Sequence, residues 1–327
     1  MGVWTAFGLM AISFVILAKC ADWLIEGAIE VAQHLKAPPM LIGIVIVGIG
    51  TTAPELAVSV TAALEGNPEV ALGNAIGSVI YDDGIALPMA AFFAPAAILI
   101  DRTVLRSAAI FLIIVDILAY FLAYDGTLGR GEGIVLVLFF VGYLLYTYWE
   151  QKRGGSSEVM EDAGERRSWP LVVALFVGGL AGVLISSDWI VAATPVVGIA
   201  LGVPNVIIGL VMVALGTSIP EIATCIIAAR KGQGSLAVGN ILGADILNIC
   251  WIAGASAIVN PLTVERDVIN FMFPSMIVIV LSMLGLLRIG HRLTRWKGVV
   301  LMILCAVYLV ALFAVNPGAL EAGLAPH

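Results

Sequence analysis

A six-residue phrase ending in an acid, Gly50-Thr51-Thr52-Ala53-Pro54-Glu55, returns as Gly216-Thr217-Ser218-Ile219-Pro220-Glu221, each time inside a long apolar run. The offset of 166 that lays Glu221 on Glu55 also lays Asp188-Trp189 on Asp22-Trp23, Pro204 on Pro38, and Gly239-Asn240 with Gly243 on Gly73-Asn74 with Gly77, all without a gap. Roughly one position in three is identical between residues 21–80 and 187–246, polar positions included, which marks an internal duplication. A carboxylate in the middle of an apolar span is costly, and two at matching places point to one shared ion site.

With 61% hydrophobic and 12% charged residues, the chain belongs to the polytopic membrane class. At about 20 residues per crossing, ten spans fit: roughly 3–35, 39–64, 69–98, 105–124, 131–149, 169–202, 205–229, 235–260, 268–288 and 297–316. The first and sixth are overlong and are expected to be steeply tilted or bent. The first has a counterpart in the second copy, so it is expected to belong to the mature fold and not to be a cleaved leader. Five spans separate equivalent points, an odd number, so the second copy crosses the bilayer in the opposite sense. The expected fold is an all-α membrane protein of about ten transmembrane helices, built as two inverted five-helix repeats over 1–150 and 169–327. A polar linker of mixed charge, 151–168, joins them. With the N-terminus outside, thirteen of the sixteen lysines and arginines fall on the cytoplasmic side, so both termini are expected outside and the 150–168 loop inside.

Polar groups interrupt four spans, at Gly50 to Glu55, Gly73 to Asp83, Gly216 to Glu221 and Gly239 to Asn248. Glycine and proline there free backbone carbonyls, which a membrane tolerates only where protein or a cavity satisfies them, so these breaks point inward. Thr51 with Glu55, Ser78 with Asp82, and Thr217 with Glu221 are each four apart, which stacks hydroxyl and carboxylate on one helical face. Asn248 stands at the repeat offset from Asp82. Carboxylate, hydroxyl, carboxamide and carbonyl oxygens suit hard cations such as Ca²⁺ and Na⁺, and soft transition metals are disfavoured. The four cysteines, Cys20, Cys225, Cys250 and Cys305, show no paired metal spacing and are expected to pack.

The doubled motifs, Gly50 to Glu55 with Gly73-Asn74-Ala75-Ile76-Gly77-Ser78 and Gly216 to Glu221 with Gly239-Asn240-Ile241-Leu242-Gly243-Ala244, resemble the two α-repeats of the prokaryotic-type sodium/calcium exchangers in the cation/calcium exchanger superfamily. The resemblance covers both halves. It implies ten helices, with the second, third, seventh and eighth enclosing the ions. It also implies a central diamond of Glu55, Glu221, Asp82 and Asn248, flanked by Thr51, Thr52, Ser78, Thr217, Ser218 and the carbonyls near Gly48 and Ala214. Archaeal members of that family carry Asn in the first repeat and Asp in the second, so the inventory is kept with its placement exchanged. Ala244 stands where the family usually has a hydroxyl. The implied activity is Ca²⁺/Na⁺ antiport by alternating access in a prokaryotic cell (inner) membrane, with no cofactor, no enzymatic activity and no nucleic-acid partner; inorganic cations and the lipid bilayer are the expected partners.

Two further acids, Asp83 and Asp245, adjoin the diamond; Ile249 and Val79 stand at their repeat offsets. Either they serve as additional cation or proton ligands or they form interhelical hydrogen bonds. They favour the rival reading, a Ca²⁺/H⁺ exchanger. A cation channel is the rival from another class, but channels line a path with rings from several subunits, whereas this chain builds one enclosed site from its own halves. No His-Glu zinc spacing and no nucleophile with a base supports an intramembrane enzyme. Outside the site, Lys19 is expected to pair with Asp22 or snorkel, Glu26 and Glu30 to form a water-facing edge, the Asp22-Trp23 and Asp188-Trp189 pairs to anchor tilted helices, and Gly178-Gly179 with Gly182 to pack closely against another helix.

Overall fold

A computed structural model describes residues 1–152, 167–201 and 215–315. Its helices are α1 Val3–Leu35, α2 Pro39–Thr51, α3 Ala53–Leu64, α4 Pro68–Phe93, α5 Arg102–Ala123, α6 Arg130–Lys152, α7 Trp169–Ala200, α8 Ile219–Arg230, α9 Gly234–Val259, α10 Val268–His291 and α11 Arg295–Val315. Among the described residues, eight helices are long and apolar enough to cross a membrane, and nine if α2 and α3, bent by 45° at their junction, count as one span. The span expected at 205–229 falls partly on 202–214, outside the described residues; α8 is its described portion. The third span, expected to reach residue 98, stops at Phe93, where Ala94 turns to extended backbone and Pro95 follows.

The overlong first and sixth spans are single helices of 33 and 32 residues, α1 and α7, packed side by side. Glycine makes their approach close. A Cβ at Gly27 would sit 2.7 Å from the Phe176 backbone nitrogen, and one at Gly179 would collide with Leu24, while Gly178 faces open space. The small-residue surface is thus a packing surface, as its spacing suggests, carried by Gly179 and Gly182 without Gly178. Trp23 and Trp189 are each about two-fifths exposed, as interface anchors would be.

The other helices form a bundle whose centre is α4 and α9, the two most buried spans. Four short strands tie the loops between repeats: β1 Ile98–Leu99 pairs antiparallel with β4 Arg292–Leu293, and β2 Thr127–Leu128 with β3 Leu262–Thr263. The offset of 166 carries β2 to 293–294, overlapping β4, and β1 to 264–265, directly after β3, so the two pairings are near-mirrors of each other. α5 starts at Asp101, whose carboxylate accepts the Thr103 and Val104 backbone N–H groups at 2.8 Å, an N-cap that fixes where this span leaves the surface.

Candidate cation site

Duplication shows first in the backbone. Between α2 and α3 the chain breaks at Thr52 with φ −80° and ψ 8°, and before α8 it breaks at the equivalent Ser218 with φ −79° and ψ 4°. Pro54 and Pro220 follow in the first turn, where a missing N–H costs nothing, and Glu55 and Glu221 come next. Each carboxylate therefore sits at a helix N-terminus, where unpaired N–H groups and the helix dipole favour negative charge. Both glutamates are fully buried, and none of their four carboxylate oxygens has a hydrogen-bond partner among the described residues.

Asp82 and Asn248 open π-turns at equivalent places, Asp82–Ala86 within α4 and Asn248–Ala253 within α9. A π-turn widens the helix by one residue and frees backbone groups, a device concentrated at functional sites. Asp82 and Asn248 are also fully buried with every side-chain polar atom unpartnered among the described residues, and so are the Ser78 and Ser218 hydroxyls. Glu55 lies within electrostatic reach of Glu221 and Asp82, and Asp82 within reach of Glu221. The structure therefore brings the three acids of the expected diamond into one buried neighbourhood, and Asn248 stands, equally buried, at the repeat-equivalent π-turn to Asp82.

Two mirrored hydrogen bonds close this neighbourhood across the repeats. Thr51 Oγ1 donates to Asn240 Oδ1 at 3.2 Å, and Thr217 Oγ1 donates to Asn74 Oδ1 at 3.2 Å. Each asparagine amide is held on its own side: Asn74 donates to Ser59 Oγ at 3.0 Å and to the Glu55 carbonyl at 3.3 Å, and Asn240 to Thr224 Oγ1 at 3.1 Å. Asn74 and Asn240 were visible only as repeated letters; their work as braces between one helix break and the opposite repeat comes from the structure.

The flanking groups are partly engaged. The Gly48 carbonyl accepts the Thr52 N–H at 3.0 Å and the Thr52 hydroxyl at 2.9 Å, so it must release a donor before it can hold a cation; the Thr51 hydroxyl, 3.4 Å away, gives its one proton to Asn240. Ala214 lies outside the described residues. Ala244 is buried and supplies no side-chain oxygen opposite Ser78. Among the described residues no three His, Cys, Asp or Glu side chains converge closely enough to hold a metal by themselves. A cation at this centre therefore needs hydroxyl, carboxamide and carbonyl oxygens as well, or an inward movement of the acids.

A second group of acids lies beside the first. Asp83, Asp245 and Asp116, the last from α5, are buried, their carboxylates accept from no donor among the described residues, Asp83 and Asp245 lie within hydrogen-bonding reach of each other, and all three interact electrostatically. Sequence inspection passed over Asp116. Its only signal is a lone acid inside an apolar span, and Ser282 stands at its repeat offset.

Near one end of α1 is an ionic cluster. Lys231, in the turn after α8, pairs with Asp22 at 2.6 Å and with Glu26 at 3.0 Å; Arg167 reaches Glu26 at 2.9 Å and Glu30 at 3.6 Å; Lys19 pairs with Asp22 at 3.3 Å. Glu26 and Glu30 are thus not a bare water-facing edge, because cations from two other elements neutralise them. Burial alone would lower the Lys231 ammonium, but its hydrogen bonds to Asp22 and Glu26 prevail and hold it above the ordinary lysine value.

The sequence model of the family described as "Sodium/calcium exchanger protein" matches residues 5–149 and 171–314, one match per repeat. The chain is 33% identical over 315 residues to CaxA of Alkalimonas amylolytica, covering 93% of this chain and 97% of that one. It is 29% identical over 353 residues to the sodium/calcium exchanger MaX1 of Methanosarcina acetivorans, covering 94% and 98%. The solved structure of the sodium-calcium exchanger NCX_Mj superposes with a TM-score of 0.82 at 26% identity, over 95% of this chain and all of that one. Helix breaks, buried acids and family match coincide in both halves, and the chain belongs to the sodium/calcium exchanger protein family.

Proposed function

We propose that the protein is a secondary antiporter that exchanges Ca²⁺ for Na⁺ by alternating access. Glu55, Glu221, Asp82 and Asn248 hold the ions, with oxygens from Thr51, Thr52, Ser78, Thr217 and Ser218 around them. The observation that carries this reading is the pair Glu55 and Glu221, repeat-related, fully buried and without hydrogen-bond partners among the described residues. A buried carboxylate without a partner is expensive, and a cation shared between two of them offsets that cost. Three ionised acids at one centre are neutralised by three Na⁺, while one Ca²⁺ leaves a single negative charge that a proton on Asp82 removes, which is the balance a countertransporter needs: neutral loaded states and a strongly charged empty one. Each five-helix repeat contributes half the site, 1–150 the first half and 169–327 the second, with both termini outside and the 150–168 linker in the cytoplasm.

The test is Ca²⁺ uptake into proteoliposomes driven by an outward Na⁺ gradient at clamped, equal pH. Uptake that requires the Na⁺ gradient is the expected result; uptake that follows only a pH gradient would assign the counter-ion to H⁺. That second reading draws on Asp83, Asp116 and Asp245, three buried acids that sodium exchange does not require.

In this reading α1 and α7 slide as a pair across the bundle, and the ionic cluster joins the slider to the bundle through Lys231. Partly exposed ion pairs are worth about 0.2–1 kcal/mol each, so two of them bias the balance between states by roughly fivefold. Lys231→Met is therefore expected to change the maximal exchange rate several-fold while leaving the Ca²⁺ concentration for half-maximal uptake in place. An unchanged rate would mean that α1 and the end of α8 never part during the cycle.

A further inference from the structure

We infer that the cleft between α5 and α10 binds one phospholipid with an anionic headgroup. The cleft has a volume of about 690 Å³ and is basic at its mouth, where Arg102 and Arg106, one turn apart on α5, face Arg288 near the end of α10. None of the three guanidiniums has a carboxylate partner among the described residues. Below the mouth the walls turn apolar, with Ile113 on one side and Leu281 on the other. Gly285 leaves room between them, since a Cβ there would meet nothing within 4 Å. Guanidiniums bind phosphate oxygens through paired N–H groups, and basic pockets between transmembrane helices with an apolar slot beneath take a headgroup above and an acyl chain below.

The duplication supplies an internal control. The offset of 166 places Val268, Met272 and Leu122 at the positions of Arg102, Arg106 and Arg288, so the opposite end of the same helix pair carries no cation at these three positions. A general excess of basic residues on one side accounts for arginines at helix ends. It does not account for three of them meeting over one apolar slot without acidic partners. In the orientation proposed above, the mouth lies in the cytoplasmic leaflet.

The full-length protein in detergent, titrated with phosphatidylglycerol and separately with phosphatidylcholine under native mass spectrometry, tests the assignment. One phosphatidylglycerol per chain is expected to be retained at concentrations where phosphatidylcholine is not. Arg106→Gln with Arg288→Gln should weaken that binding roughly thirtyfold, at about tenfold per 1.4 kcal/mol and about 1 kcal/mol per arginine. Gly285→Leu, which fills the slot without removing charge, should weaken it too. The arginines are exposed, so the double variant keeps the fold and decides the matter even where the glycine variant does not express. Equal retention of the two lipids by the wild type, or wild-type affinity in the arginine variant, would overturn the site. So would inorganic phosphate binding as tightly as phosphatidylglycerol, since that marks a soluble-anion site.

Discussion

In proteoliposomes, Glu55→Gln and Glu221→Gln are each expected to bring Na⁺-driven Ca²⁺ uptake down to the level of empty vesicles. Glutamine keeps the size and one carbonyl oxygen of glutamate, so packing at these fully buried positions is preserved and only the charge is lost. Removing one member of a buried charged set costs about 3–5 kcal/mol, which is a loss of more than a hundredfold in ion affinity. The two variants should fail equally, because the repeat gives both carboxylates the same place at a helix N-terminus. Glu26→Gln serves as the control: that acid sits in the ionic cluster on α1, and its loss should leave transport measurable. Full activity in either Glu55→Gln or Glu221→Gln would remove the basis for the proposed site.

The second large effect is expected at the contact between α2 and α9. A Cβ at Gly239 would run into the Met40 carbonyl, one at Gly243 into the Ile44 carbonyl, and one at Gly43 would lie 2.7 Å from the Asn240 backbone nitrogen. These neighbours are backbone atoms within helices, so no side chain can turn aside to make room. Gly243→Ala is expected to cost roughly 3 kcal/mol, and Gly239→Leu to prevent recovery of a monodisperse protein. The measurement is the thermal midpoint and the elution profile in detergent. Wild-type stability in Gly243→Ala would show that α2 and α9 are not held at this distance. The contact matters for transport because α2 carries Thr51 and α9 carries Asn240, the two ends of one cross-repeat hydrogen bond.

The duplication, the helix breaks and the buried glutamates were legible because each leaves a mark in one stretch of chain: a fixed offset, a proline in a first turn, an acid among apolar residues. What stayed hidden depends on which elements face one another. Asn74 and Asn240 reveal their part only when the opposite repeat delivers a threonine. Lys231 is more than two hundred residues from Asp22, and nothing local announces that pair. Asp116 has neither a repeat mate nor a neighbouring motif, so hydropathy treats it as a blemish in a span. The end of α4 was misjudged for a simpler reason: apolar residues continue past Phe93, and hydropathy does not distinguish an apolar helix from an apolar turn.

The two small strand pairings have a mechanical consequence. One staples the α4–α5 loop to the α10–α11 loop, and the other staples the α5–α6 loop to the α9–α10 loop, on opposite faces of the molecule. The scaffold is thus cross-braced at top and bottom by chain from both copies, like a drum laced at both rims. In the proposed exchange cycle, opening toward one compartment would come from parts outside the lacing, the long α1 and α7 and the bent α2–α3, which would concentrate the movement beside the acids while the frame keeps its shape.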